Sequence, residues 1–413
     1  MNPPPAKHIV LIVFDYMGYG DIEPFGRSEI RTPNIRRLAE GGIRYTDFYG
    51  AAPICVPSRA AMLTGRYPRH LGIENNIYHG EPGLSTQVKS LPRYFKDAGF
   101  ATALYGKWHL GYEVADGPNA HGFDDFMGFH EWNIDYYSHN TRDGEPALFH
   151  NTELEARPGY TTDLFTDSAV DFIRAKGQEP YFLYVAYNAA LPPYRPPGLE
   201  NEPGRHDTWI NGDRADYAAA VEHLDLSVGR IMDALEAQGI AEQTGVLLTY
   251  DHGGAELATK GPFFHGFGTL WEGGIRVPMI LHWPNGHGAG LGARGREAGD
   301  VISDPGILMD VMPTLLAAAG IEAEQDIDGR DLLNASHDGV ERTLHWRINL
   351  PDLHANWRAR AQRAVRRGKW KYLWDGGFEF LHDLETDPGE RENLCYRHPD
   401  VFADLKAQSA GDW

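Results

Sequence analysis

Ile9-Val10-Leu11-Ile12-Val13-Phe14-Asp15 is the stretch on which the fold turns. Six apolar residues in succession, with no polar alternation, are the length of one strand and have no face meant for water. Such a run predicts a central strand of a mostly parallel sheet, covered by helices on both sides. Asp15 follows at its carboxyl end, where ligands gather in open α/β sheets. Taken alone, Asp15 reads equally well as a turn former or cap for Gly18-Tyr19-Gly20-Asp21.

Working outward, the same unit recurs. Phe100 to Tyr105, Tyr181 to Tyr187 and Gly245 to Tyr250 read as further strands. Between them, Leu164, Phe165, Ala169, Phe172 and Ile173 form a helical stripe, with Thr161 and Thr162 as candidate caps and Pro180 as its stop. Tyr217, Val221, Leu224, Val228, Ile231 and Leu235 mark a long amphipathic helix that ends before Gly239. Toward the end of the chain, Thr343 to Ile348, Ala364 to Trp374 and Phe378 to Leu384 alternate or are rich in aromatics, as in a small antiparallel sheet. The expectation is an α/β domain over residues 1–328 and a smaller α+β subdomain over 329–413.

With 413 residues the chain can bury a large core. Its 38 Lys and Arg against 58 Asp and Glu give a net charge of −20, which argues against nucleic acid and anionic membranes as partners. Any anionic substrate needs a local cationic pocket. The two cysteines, Cys55 and Cys395, lie far apart in sequence and do not suggest a disulfide framework. The apolar run from His8 is too short for a signal peptide or a membrane span, so the expected location is cytoplasmic.

Three motifs carry chemistry. Cys55-Val56-Pro57-Ser58-Arg59, continued by Leu63-Thr64-Gly65-Arg66, sets a thiol at the mouth of a helix started by Pro57, with Arg59 one turn on over the same end. Gly106-Lys107-Trp108-His109-Leu110-Gly111 places Lys107 and His109 two apart in an extended segment, able to reach one oxyanion together. Asp251-His252-Gly253-Gly254 ends a strand as Asp15 does, and two strand-end carboxylates with a His make an oxygen-rich cation site. A lone Cys-x-Pro would more often be structural, but these segments together resemble the motifs of the type I sulfatases. Leu270-Trp271-Glu272-Gly273-Gly274-Ile275-Arg276-Val277-Pro278 resembles another segment of that family, and the likeness runs from about His8 to Leu394.

The resemblance implies an alkaline-phosphatase-like fold with a large mixed, mostly parallel sheet and a small C-terminal antiparallel one. It implies hydrolysis of a small-molecule sulfate ester by a formylglycine made from Cys55 by a formylglycine-generating maturase. Asp15, Asp251 and His252 would hold a divalent metal, Ca2+ or else Mg2+, while Arg59, Lys107 and His109 stabilise charge on the transferred group. Three positions depart from the family. Tyr16 stands where a second Asp is expected, Leu191 where a His contacts the ester oxygen, and Phe267 where a Lys binds sulfate. Tyr136 and His139 lie in an aromatic stretch that either faces the organic part of the substrate or packs a loop. Two further readings therefore stay open: a sulfatase fold with a lost or repurposed activity on a more apolar ligand, and a phosphonate or phosphate ester hydrolase of the same superfamily.

Overall fold

The computed structural model describes residues 5–26, 29–199, 212–284, 291, 295–323, 326–350 and 360–411. Its strands are β1 (His8–Phe14), β2 (Ile43–Tyr49), β3 (Ala101–Lys107), β4 (Asp125–Phe129), β5 (Phe149–His150), β6 (Glu153–Leu154), β7 (Tyr181–Ala186), β8 (Thr244–Tyr250), β9 (Arg276–His282), β10 (Val301–Ile302), β11 (Gly306–Ile307), β12 (Thr343–Leu350), β13 (Arg360–Arg367), β14 (Trp370–Asp375) and β15 (Phe378–Asp383). Its helices are α1 (Pro33–Glu40), α2 (Cys55–Thr64), α3 (Pro68–Leu71), α4 (Leu91–Asp97), α5 (Thr161–Lys176), α6 (Arg214–Ala237), α7 (Glu272–Ile275), α8 (Val311–Ala318) and α9 (Pro399–Ser409).

The large sheet runs β10-β2-β9-β8-β1-β7-β3-β4-β5-β6, with β11 also on β2. Its centre, β8-β1-β7-β3-β4, is parallel throughout, and β9 joins β8 and β2 in antiparallel pairings. All seven residues of β1 are buried, as expected of a run with no wet face. Among the described residues no helix is long and apolar enough to cross a membrane.

Register delivers the functional side chains. Phe14 pairs with Tyr250, so Asp15 and Asp251 emerge side by side just beyond the sheet. Gly106 pairs with Ala186, which brings the end of β3 level with the end of β7. Gly106 is required there: its φ is +118°, and a Cβ would lie 2.0 Å from the Ala186 carbonyl oxygen.

The small sheet is β12-β13-β14-β15, antiparallel throughout. The stretch from Ala364 to Trp374 spans parts of two strands, because the chain reverses at Gly368 with φ +55°. Thr161 and Thr162 are not caps but the first residues of α5, whose N-cap is Tyr160; the Thr161 hydroxyl instead bonds Asn188. One face of the small sheet, through Leu344, Trp346, Ile348, Ala364 and Leu373, is continuous with the main core. Its other face, through Val365, Tyr372 and Leu381, is covered by Leu405 of α9.

The seam between the sheets is charged and dry. Lys371 on β14 bonds Glu272 at 2.8 Å and Glu390 at 2.9 Å, and Glu272 also meets Arg276 at 3.2 Å and the Tyr49 hydroxyl at 2.8 Å. Asp47 joins both Arg276 and Arg366. Burial, with Glu272 close by, raises the Glu390 carboxyl from 4.5 to about 7 against the pull of Lys371. Between those two pH values the folded chain binds a proton that the unfolded chain has released. This stability is complete below pH 4.5 and lost as pH rises through 7, a difference on the order of 3 kcal/mol. Urea unfolding from pH 5 to 8 should show wild type losing that much relative to Glu390→Gln, with the histidines affecting both proteins alike. Parallel profiles for the two proteins would show that Glu390 does not titrate in this window.

Candidate active site

Cys55 is the first residue of α2, follows Ile54 in extended conformation and is 5% exposed. It lies over the ends of β1 and β8. Its Sγ is 3.2 Å from His252 Nε2 and 3.8 Å from Asp15 Oδ1, and Lys107 Nζ approaches it to 3.4 Å. The helix starts without a side-chain cap, so its first N–H groups and dipole favour negative charge near residue 55.

Two buried carboxylates beside each other need compensation, and Arg59 and Lys107 supply it through the Oδ2 atoms. Arg59 donates from Nε to Asp251 Oδ2 at 2.9 Å and from Nη2 to Asp15 Oδ2 at 3.0 Å. Lys107 Nζ donates to Asp15 Oδ2 at 2.7 Å. Both Oδ1 atoms therefore turn toward His252, whose Nε2 is 3.2 Å from Asp15 Oδ1 and 3.4 Å from Asp251 Oδ1. The turn over Gly18-Tyr19-Gly20-Asp21 is closed not by Asp15 but by Asp21, whose carboxylate accepts from the Gly18 N–H at 3.0 Å.

The electrostatics follow from these neighbours. Burial alone would raise the Asp15 carboxyl, but Lys107, His252 and Arg59 hold it well below the usual range. Asp251 is pushed up by burial and by Asp15. His252 is raised well above the ordinary imidazole, since Asp251, Cys55 and Asp15 outweigh its burial. His109 goes the other way, lowered by burial and then by Lys107 and Arg59, and stays neutral. It is not in extended backbone as the spacing suggested: its φ is +57°, and its Nδ1 is buried without a hydrogen-bond partner.

The three departures sit around this cluster. The Tyr16 ring lies 4.2 Å from Phe267 and 5.2 Å from His252, and Phe267 lies 4.5 Å from His252, centroid to centroid. Burial, Cys55 and Asp15 raise the Tyr16 phenol, so its oxygen is neutral. Leu191 is fully buried in the turn after β7, and that turn is pinned to β1 by Ala190 N donating to the Asp15 carbonyl at 2.9 Å.

Tyr136 and His139 both contact neighbouring loop backbone. The Tyr136 hydroxyl donates to the Leu191 carbonyl at 2.8 Å and braces the same turn, while His139 Nε2 pairs with the Gly159 carbonyl at 2.9 Å. Arg195, a nearby cation, is bound to Asp135 at 2.9 Å. The sequence did not reveal Tyr184, whose hydroxyl accepts from Arg59 Nη1 at 3.3 Å; inside an all-apolar strand pattern, one phenol carries no signal.

Four potential ligand atoms, from Asp15, Cys55, Asp251 and His252, lie within 4.8 Å of one another. Asp251 Oδ1 is buried with no hydrogen-bond partner. An orphaned carboxylate oxygen facing an imidazole nitrogen and a second carboxylate fits a cation-binding role.

Comparison with known proteins agrees with this arrangement. The family model named Sulfatase matches residues 7–321. N-acetylgalactosamine-6-sulfatase of Rattus norvegicus is 32% identical over 96% of this chain and 77% of its own length. Arylsulfatase J of Mus musculus is 30% identical over 96% of this chain and 74% of its own. The crystal structure of Ps i-CgsB in complex with k-i-k-neocarrahexaose superposes with a TM-score of 0.84 at 29% identity, covering 98% of this chain and 92% of that one.

Removing Arg59 would take away the one group that bridges both Oδ2 atoms, leaving Lys107 on Asp15 and His252 between the Oδ1 atoms. Arg59→Ala should cost about 3–5 kcal/mol in urea unfolding, as breaking a buried ion pair does. Tyr184→Phe removes one neutral acceptor and should cost under about 1.5 kcal/mol in the same assay.

Proposed function

The chain belongs to the sulfatase family of sulfuric ester hydrolases, and from that premise we propose that it cleaves sulfate monoesters at the buried cluster around residue 55 once Cys55 has been converted to formylglycine. The observation that carries this reading is the convergence of Cys55, at a helix N-terminus, with Arg59, Lys107, His109 and two strand-end carboxylates in a space closed to bulk water. The converted residue would supply a hydrated aldehyde, with one hydroxyl to attack sulfur and a second to expel sulfate.

Asp15, Asp251 and His252 are the residues that would hold a divalent cation, which lowers the pKa of the nucleophilic hydroxyl and polarises a sulfate oxygen. Arg59 keeps Asp15 and Asp251 in place and charged. Lys107 Nζ, 3.4 Å from the position 55 sulfur, is near enough to meet a sulfate oxygen in that space. Neutral His109 offers an unused ring nitrogen for a hydroxyl at residue 55. Such fixed donors need no reorganisation as charge develops, which is the largest source of rate in sites of this kind.

Leu191 leaves the departing oxygen without a proton donor at its position, and Phe267 and Tyr16 make the adjacent wall aromatic. That wall favours a substrate with an apolar organic group and a stable leaving anion, such as an aryl sulfate. The same wall supports a second reading, a pocket repurposed for an apolar organic ligand.

Two measurements test these readings. Peptide mass spectrometry on protein made beside an active maturase should find formylglycine at position 55; thiol throughout would rule out this chemistry. With conversion verified, wild type should turn over aryl sulfates far better than alkyl sulfates. Leu191→His with Phe267→Lys should raise alkyl turnover by up to the roughly 10²–10⁴-fold that a general acid contributes, with little change for aryl sulfates. If neither protein hydrolyses any sulfate ester and wild type binds an apolar ligand in that pocket, the second reading replaces the first.

A further inference from the structure

Calcium takes six to eight oxygen ligands at about 2.3–2.6 Å. The donors gathered here are of another kind. Asp15 and Asp251 offer one free carboxylate oxygen each, because Arg59 and Lys107 occupy the Oδ2 atoms. The remaining two donors are an imidazole nitrogen and a sulfur, and the nearby Tyr16 oxygen is a neutral phenol.

His252 is oriented for coordination by its other nitrogen. Its Nδ1 lies 2.9 Å from the Gly253 carbonyl oxygen, which can only accept, so Nδ1 carries the hydrogen. In the neutral ring the lone pair is then on Nε2, aimed among Asp15 Oδ1, Asp251 Oδ1 and Cys55 Sγ. Fixing the tautomer through a backbone carbonyl is how metal-binding histidines are commonly held. Gly253 is itself fixed, since a Cβ there would lie 2.0 Å from the Gly273 carbonyl oxygen.

The donor types set the ion class, and four of the six separations between ligand atoms are compatible with it. Bonds of about 2.0–2.3 Å from a tetrahedral ion place ligand atoms about 3.3–3.7 Å apart. The separations are 3.2 Å for Nε2 to Sγ, 3.2 Å for Nε2 to Asp15 Oδ1, 3.4 Å for Nε2 to Asp251 Oδ1 and 3.8 Å for Sγ to Asp15 Oδ1. A second, independent observation is the orphaned Asp251 Oδ1, on a side chain with no exposed surface.

We propose that the chain whose Cys55 keeps its thiol is a binding site for a thiophilic first-row divalent ion such as Zn2+, with Cys55 Sγ, His252 Nε2, Asp15 Oδ1 and Asp251 Oδ1 as the four ligands. On binding, the Cys55 thiol and the Nε2–H of the His252 imidazolium each give a proton to solvent, and no electrons are transferred. Nitrogen and sulfur donors favour such ions over Ca2+ and Mg2+. The site does not rest on sulfate hydrolysis or on formylglycine formation, and conversion of Cys55 would remove the thiolate and weaken the preference.

The test uses full-length protein made without a maturase, with the position 55 thiol verified by mass spectrometry and metal removed by a chelator. Titration with Co2+ should saturate at one equivalent and produce a near-ultraviolet thiolate-to-cobalt charge-transfer band with the visible bands of a tetrahedral ion. Zn2+ should abolish both, and a large excess of Ca2+ should leave them. Cys395→Ser should keep the band, which then comes from Cys55, the sole remaining thiol. Cys55→Ser should lose the band and weaken Co2+ binding by at least the roughly 10–100-fold seen when a metal site loses an outer-shell partner. Absence of the band from Cys395→Ser with its thiol reduced, or displacement of Co2+ by equimolar Ca2+, would overturn the proposal without touching the hydrolase reading.

Discussion

Arg59 holds the molecule's centre together. Asp15 and Asp251 end adjacent parallel strands in register, so the backbone itself forces their carboxylates together in a dry place. With potential ligand atoms within 4.8 Å, two full charges would repel by about 3–4 kcal/mol even at an effective dielectric of about 20. One guanidinium across both Oδ2 atoms, with Lys107 on Asp15, reverses the sign of that interaction. The bidentate fork does what a point charge could not: it fixes the rotation of both carboxylates and so decides which oxygens face His252. The geometry at residue 55 is a consequence.

The small sheet contributes to the same geometry from a distance. Glu272 is locked between Lys371 and Arg276, and the short turn it begins carries Gly273 and Gly274 against Gly253. The Gly253 N–H donates to the Gly274 carbonyl at 2.9 Å, next door to His252. Charged groups on β14 are thus linked by one rigid turn to the orientation of an imidazole in the large sheet. A chain cut before the small sheet would lose Lys371 and leave Glu272 buried without its ammonium partner, a costly arrangement.

Much of the fold was legible because its signal is local. The β1 run, the strand through Tyr105, the strand ending at Tyr250 and the long helix through Tyr217 and Leu235 all announce themselves by apolar pattern, and the structure has them. The break at Gly368 was hidden because two adjacent strands of one hairpin share aromatic composition. The residues of the site were readable as motifs, but their mutual geometry was not. Nothing in the spacing said that Arg59 and Lys107 would both choose Oδ2 atoms, that His109 would adopt a positive φ, or that Tyr136 would spend its hydroxyl on the turn bearing Leu191. Those are pairings between segments far apart in sequence, set by register and not by periodicity.

The departures at positions 16 and 267 acquire a common explanation once the rings are seen in contact. Where the resemblance leads one to expect an Asp at position 16 and a Lys at position 267, a neutral phenol and a phenyl ring stand instead. The two side chains meet at 4.2 Å and share His252 as a neighbour. Replacing buried charges by well-packed apolar groups is often neutral or stabilising, and an aromatic pair adds about 0.5–1.5 kcal/mol beyond its buried area. The cations that face residue 55, Arg59 and Lys107, are untouched by the exchange. The wall beside them presents the π faces of Tyr16 and Phe267 to the His252 ring.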